Sequence, residues 1–139
     1  MRRLLCLMTL LVGLLVQADD TLYTHLGGHE GIAAITDQLV DRSAADPATR
    51  RSFQKVDLDR LKRLLTEQLC ALSGGPEHYG GDTMREAHAG LGINQSEFYG
   101  MVDHLRAILD ARGVAQADKN ALLAKLAPMQ RDVIDLSRP

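Results

Sequence analysis

Between Thr83 and Ile93 the chain has room for one short helix and no more. Thr83 and Glu86 have the spacing of a capping box, in which each side chain takes up a free backbone N–H of the first turn. Gly90 and Gly92 close the segment, because glycine readily adopts the left-handed conformation of a helix terminus. Within it, Met84, His88 and Leu91 fall at i, i+4 and i+7 and share one face. A buried histidine must satisfy both ring nitrogens. The carbonyl of Met84, one turn earlier, can accept one N–H and leave the other nitrogen for a metal, the usual support of a ligating imidazole. A lone histidine on an apolar face is more commonly a core or cleft residue, so local spacing leaves both readings open.

The rest of the chain is punctuated in the same way. Leu22–Leu26 is a short amphipathic opening that ends at Gly27-Gly28. Ile32, Ile35 and Leu39 predict a helix over about 30–45, closed by Asp46-Pro47. Asp57 is placed as the N-cap of a helix whose stripe is Leu58, Leu61, Leu65, Leu69 and Leu72. Gly74-Gly75-Pro76 ends that helix, and 76–82 is an irregular polar segment. Asn94 and Glu97 form a second capping box, flanked by Ile93 and Phe98 as a hydrophobic staple. The helix they start carries Phe98, Val102, Leu105 and Ile108 or Leu109. A last helix is expected over about 117–136, kinked by Pro128. No stretch alternates as a strand does, and the fold class read from the pattern is all-α.

With 139 residues the chain is sized for one domain. Residues 1–18 stand apart. Arg2 and Arg3 precede an apolar run from Leu4 to Val16, and Val16-Gln17-Ala18 offers a cleavage site before Asp19-Asp20, the layout of a secretory signal peptide. The run is shorter than the roughly 20 residues of a membrane span, so cleavage is preferred to an uncleaved anchor and no stable span is expected. Leu4 and Leu5 before Cys6 do not suit a lipoprotein signal. The expected mature domain is 19–139, periplasmic or secreted. Without Arg2 and Arg3 it has 14 basic and 18 acidic side chains, a formal charge of −4, and nothing suggests nucleic acid, which calls for a basic face. Cys70 is its single cysteine and reads as a buried, inert thiol. There is no C-x-x-C-H, H-E-x-x-H, P-loop or G-x-S-x-G.

Four pieces of the sequence, in order, resemble the truncated haemoglobins, most closely group I. Leu22-Tyr23-Thr24-His25-Leu26-Gly27-Gly28 is similar to the family's opening. Phe53 stands where globins keep the phenylalanine that packs on haem. Gly74-Gly75-Pro76-Glu77-His78-Tyr79 is similar to the second glycine pair and the loop after it, and Met84–Ile93 to the proximal-histidine motif. The resemblance spans about Thr21 to Leu136. It implies a two-over-two helical sandwich around non-covalent haem b, with His88 as the proximal iron ligand, as imidazole suits iron. It places Phe53, Leu61, Leu65, Met84, Ile93, Phe98 and Val102 along the haem, although an ordinary helical core would show the same periodicity. Arg60 and Tyr79 are candidate propionate partners. His78 is a further one, with solvent exposure as its plain reading. His25 and His29 read as surface or capping residues, and His104 as a satisfied boundary histidine.

The chain also departs from the family. Group I proteins commonly direct a tyrosine and one or two glutamines at the bound ligand. Here those positions hold Val40, Leu61 and Leu65. Gln68, one turn beyond, is a possible donor, and Lys62 would have to swing inward to reach the iron. The departure bears on ligand stabilisation and nitric oxide oxidation, not on haem binding. Three readings follow. One is a protein that reversibly binds oxygen, carbon monoxide or nitric oxide. Another is a haem enzyme for nitric oxide dioxygenation or peroxide turnover, which needs polar groups at the ligand and an electron donor the chain does not contain. The third is a globin that has lost haem or only carries it, against which His88 and Phe53 count.

Overall fold

The computed structural model describes residues 20–137, so the expected signal peptide lies outside the described residues. Within them every regular element is helical: α1 (Leu22–His25), α2 (Gly28–Ala45), a 3-10 turn (Arg50–Phe53), α3 (Leu58–Leu72), α4 (Met84–His88), α5 (Gln95–Ala111), α6 (Gln116–Leu126), a second 3-10 turn (Ala127–Met129) and α7 (Gln130–Val133). Among the described residues no helix is long and apolar enough to cross a membrane.

The caps form as their spacing predicts. Asp57 accepts the Arg60 backbone N–H at 3.0 Å and starts α3. Both capping boxes close in both directions, Thr83 with Glu86 at α4 and Asn94 with Glu97 at α5. The expected helix over 117–136 does not run as one piece. It breaks at Leu126 into a 3-10 turn containing Pro128 and then four residues of α7. Proline has no N–H to donate and its ring crowds the carbonyl four residues back, so the α-pattern cannot continue through it.

α2 is the hub, packed on α3 and on α5, while α1 joins α2 to α6 and α4 packs on α7. The core is Leu26 with Ile32, Ile35 and Leu39 of α2, Leu69 and Cys70 of α3, Leu105, Ile108 and Leu109 of α5, and Leu122 of α6, all at most 4% exposed. Each such aliphatic side chain contributes about 1.5–3 kcal/mol on burial. α4 supplies no buried residue, so the frame stands on α2, α3, α5 and α6. A polar bridge joins α2 to α3 inside that frame. The buried Thr36 and Thr66 hydroxyls lie 2.6 Å apart.

Candidate functional site

His88 ends α4 half-buried, and its Nδ1 lies 2.7 Å from the carbonyl oxygen of Met84. A carbonyl only accepts, so Nδ1 carries the proton and Nε2 keeps a free lone pair. The capping box fixes the other end of α4. Hydrogen bonds from the Thr83 hydroxyl and amide hold the Glu86 carboxyl below its ordinary range. Beyond His88, Gly90 and Gly92 take φ of 77° and 58°, which turns the chain sharply away at residues without a Cβ to strain.

So short a helix needs external anchors. Arg51, on the 3-10 turn that also carries Phe53, is the main one. Its guanidinium donates to the carbonyls of Leu91 at 3.3 Å and Gly92 at 2.8 Å. It also donates to both carboxylate oxygens of Glu97, through Nε at 2.6 Å and through Nη2. Glu97 is 7% exposed. Burial pushes its carboxyl up, but Arg51 and the Asn94 amide outweigh burial and hold it below the usual range. On the other side Arg85 pairs with Asp132 of α7 at 2.6 Å, and the Asp135 amide donates to the Ile93 carbonyl at 2.8 Å. Arg51 escapes a sequence reading, since its partners lie some 40 residues away; the buried N3 position of Glu97 is the one hint of a cationic partner.

The residues expected along the haem share one property. Phe53, Leu61, Leu65, Met84, Ile93, Phe98 and Val102 are all half-buried, unlike the core residues of the same helices. Leu61, Leu65 and Gln68 lie at i, i+4 and i+7 on α3, and that stripe is turned toward α4, because the Gln68 amide donates to the Met84 sulfur at 3.4 Å. The same amide reaches the Met129 sulfur at 3.8 Å. Gln68 is thereby engaged beside His88's own helix. Val40 is wholly buried.

Lys62 does not turn toward the stripe. Its ammonium pairs with Asp41 of α2 at 2.7 Å, and that pairing raises its pKa. Arg60 is exposed at the start of α3 and lies near Tyr79. Burial and Asp82 raise the Tyr79 phenol while the Arg60 charge pulls it down. The Tyr79 hydroxyl donates to the Asp82 carbonyl at 2.7 Å.

The remaining histidines sit away from α4. His25 is held between Asp118 at 2.9 Å and Asp20 at 2.6 Å, His29 meets Glu77 at 3.0 Å, and His104 meets Asp46 at 2.9 Å. His78 is exposed. Cys70 is fully buried, and desolvation, then the Glu77 carboxylate, push its thiol up to about 12.

Residues 21–135 match the bacterial-like globin family. A group 1 truncated hemoglobin of a Nostoc species is 31% identical over 116 residues, which cover 84% of this chain and 98% of that protein. The crystal structure of the truncated hemoglobin of Tetrahymena pyriformis in its Fe(III) form is similar with a TM-score of 0.77 at 30% identity, covering 82% of this chain and 97% of that one. Variants of the same protein have been solved with a tyrosine changed to phenylalanine, or with either of two glutamines changed to glutamate. The first glutamine lies twenty-one residues after the tyrosine and the second four further on. A 2/2 hemoglobin of Synechococcus, 22% identical, shares the fold with a TM-score of 0.76, covering 82% of this chain and 98% of that one. The helical architecture is the expected two-over-two arrangement, and the chain belongs to the bacterial-like globins, among the group I truncated haemoglobins.

Proposed function

We propose that this protein binds haem through His88 and uses the iron to hold a diatomic gas reversibly. One observation carries the reading: the 2.7 Å contact between His88 Nδ1 and the Met84 carbonyl frees Nε2 on a clamped helix beside half-buried apolar stripes. A single neutral imidazole among apolar walls suits the iron and ring of haem. Arg60 and Tyr79, close enough for the Arg60 charge to act on the phenol, suit its carboxylates. Without a C-x-x-C-H motif in the chain, the group proposed is non-covalent haem b. Haem supplies the iron at which oxygen, carbon monoxide or nitric oxide binds.

The gas side of the pocket favours binding over catalysis. The tyrosine and two glutamines altered in the Tetrahymena variants have the same separations as Val40, Leu61 and Leu65. None of these three side chains can donate a hydrogen bond. Lys62 is taken by Asp41, and Gln68 by methionine sulfurs. Nitric oxide dioxygenation or peroxide turnover would need polar groups to stabilise developing charge, and these candidates do not supply them.

The protein should purify with the visible spectrum of a haem whose ferrous iron is five-coordinate. His88→Gly should lose that spectrum and regain it with added imidazole. An unaltered spectrum in the variant would remove His88 from the iron. The layout of residues 1–18 further supports export to the periplasm or beyond. Natively expressed protein should have the mass of a chain starting at Asp19, and a full-length chain found in the cytoplasm would refute export.

A further inference from the structure

A second cluster of ligand atoms lies apart from α4, where the start of α2, the end of α3 and the segment after Pro76 meet. The ligand atoms of His29, Cys70 and Glu77 all lie within 4.8 Å of one another, and this is the one such cluster of metal-ligating side chains among the described residues. We propose that His29, Cys70 and Glu77 form a binding site for a divalent transition metal of the zinc class.

The donor set is the first argument. Imidazole, thiolate and carboxylate are the three groups that zinc takes, at about 2.0–2.3 Å, usually in a tetrahedron. Such a tetrahedron sets its ligand atoms roughly 3.3–3.6 Å apart; His29 and Glu77 already approach to 3.0 Å, and the wider separations need to close by up to about 1 Å. His29 provides the slack. Its side chain is 58% exposed and can turn toward an incoming ion. The fourth position is left to water or a solute.

The carboxylate is the second argument. Glu77 Oε1 is already shared, accepting from Tyr23 Oη at 3.1 Å and facing His29 Nδ1 at 3.0 Å. Glu77 Oε2 is buried with no conventional hydrogen-bond donor on it, and the thiol of Cys70, a weak donor, is what the carboxylate faces there. A buried carboxylate oxygen left in that condition is costly. Local backbone is shaped around it: a Cβ on Gly75 would stand 2.6 Å from Oε2 and 2.5 Å from the Tyr23 ring. Glycine at that position lets the carboxylate sit beside Cys70. A cation between the two would replace that weak contact with a bond to each.

Access and charge agree. His29 borders an open groove of about 570 Å³ between α2 and α3, so one of the three ligands already meets solvent. Binding exchanges the thiol proton for the metal. The S–H bond breaks, a sulfur–metal bond forms, the proton leaves to solvent, and no electron is transferred. The site would tie the α1–α2 corner to the end of α3 and to the segment that leads into α4.

The test uses the haem-loaded protein and zinc chloride alone, read by metal analysis after dialysis and by X-ray absorption at the zinc edge, which haem iron does not obscure. The expected result is one zinc per chain with one sulfur neighbour at about 2.3 Å. His29→Ala, an exposed substitution that keeps the fold, should weaken zinc binding at least tenfold. Cys70→Ser should remove the sulfur neighbour, and His25→Ala should change nothing. Zinc coordinated by nitrogen and oxygen alone in the unmodified protein, no zinc retained, or His29→Ala binding zinc as tightly as the parent would each overturn the proposal. The visible spectrum, which follows His88, reports separately on haem.

Discussion

Restoring a donor at Val40 should slow oxygen release while leaving carbon monoxide nearly untouched. Val40 has no exposed surface, so a phenol placed there would act in a dry site where a hydrogen bond is not shared with water. A neutral hydrogen bond contributes about 0.5–1.5 kcal/mol net, and one to a charged partner up to about 3 kcal/mol. Oxygen draws electron density from the iron, and the upper half of that range applies to it. At about 1.4 kcal/mol per factor of ten, Val40→Tyr should gain roughly one to two decades in oxygen affinity, mostly as slower dissociation. Carbon monoxide is less polarised and should change severalfold at most. The larger ring enters a filled position, and overpacking of this kind costs about 1–3 kcal/mol of stability. Leu61→Gln, at a half-buried position, supplies a donor with less strain and serves as the companion variant. Stopped-flow ligand replacement measures both gases on both proteins. The reasoning fails if the unmodified protein already releases oxygen slowly, or if Val40→Tyr slows both gases alike.

Gln68→Leu should leave oxygen release unchanged, because the Gln68 amide is engaged with the sulfurs of Met84 and Met129; a severalfold faster release would put Gln68 at the gas. Arg51→Gln should speed amide exchange at residues 88–92 and hasten haem loss while α2 keeps its protection, and equal loosening of α2 would mean that Arg51 supports the whole frame. His25 has a pKa raised above 6.5 by its hydrogen bonds to Asp118 first and Asp20 second. Its contribution to stability is therefore complete below pH 6.5 and lost as pH rises through the higher folded-state value. Urea midpoints of the parent and His25→Gln should converge over that rise, and a constant gap would contradict the linkage.

The helices were legible because their signals are local. Asp57, Thr83 and Asn94 cap helices three residues ahead of their partners, and the stripe from Leu58 to Leu72 repeats at the helical period. His88 was legible for the same reason, since its carbonyl partner is one turn away. Pro128 announced a kink, but whether the chain would bend or break there depends on what α7 packs against, and α4 is its partner. Arg51 was silent in the sequence, because an arginine bridging 40 residues leaves no periodic trace. Lys62 and Gln68 were legible as alternatives only; the choice came from Asp41 and from two methionine sulfurs, contacts between elements that spacing along one helix does not encode. The three-sided cluster of His29, Cys70 and Glu77 is of the same kind. Each residue reads plainly alone, and only the fold brings them together.

The brevity of α4 has a consequence for when, during the life of the chain, His88 takes up its place. Five residues cannot hold a helical turn unaided, since the first turn fixes several residues for a single hydrogen bond. Several of the contacts that hold α4 close late in the order of synthesis. Arg51 must wait for Glu97, Arg85 for Asp132, and the Ile93 carbonyl for the amide of Asp135. Synthesis therefore has to pass Asp135 before His88 has its full set of supports, and α4 is completed only after the frame around it.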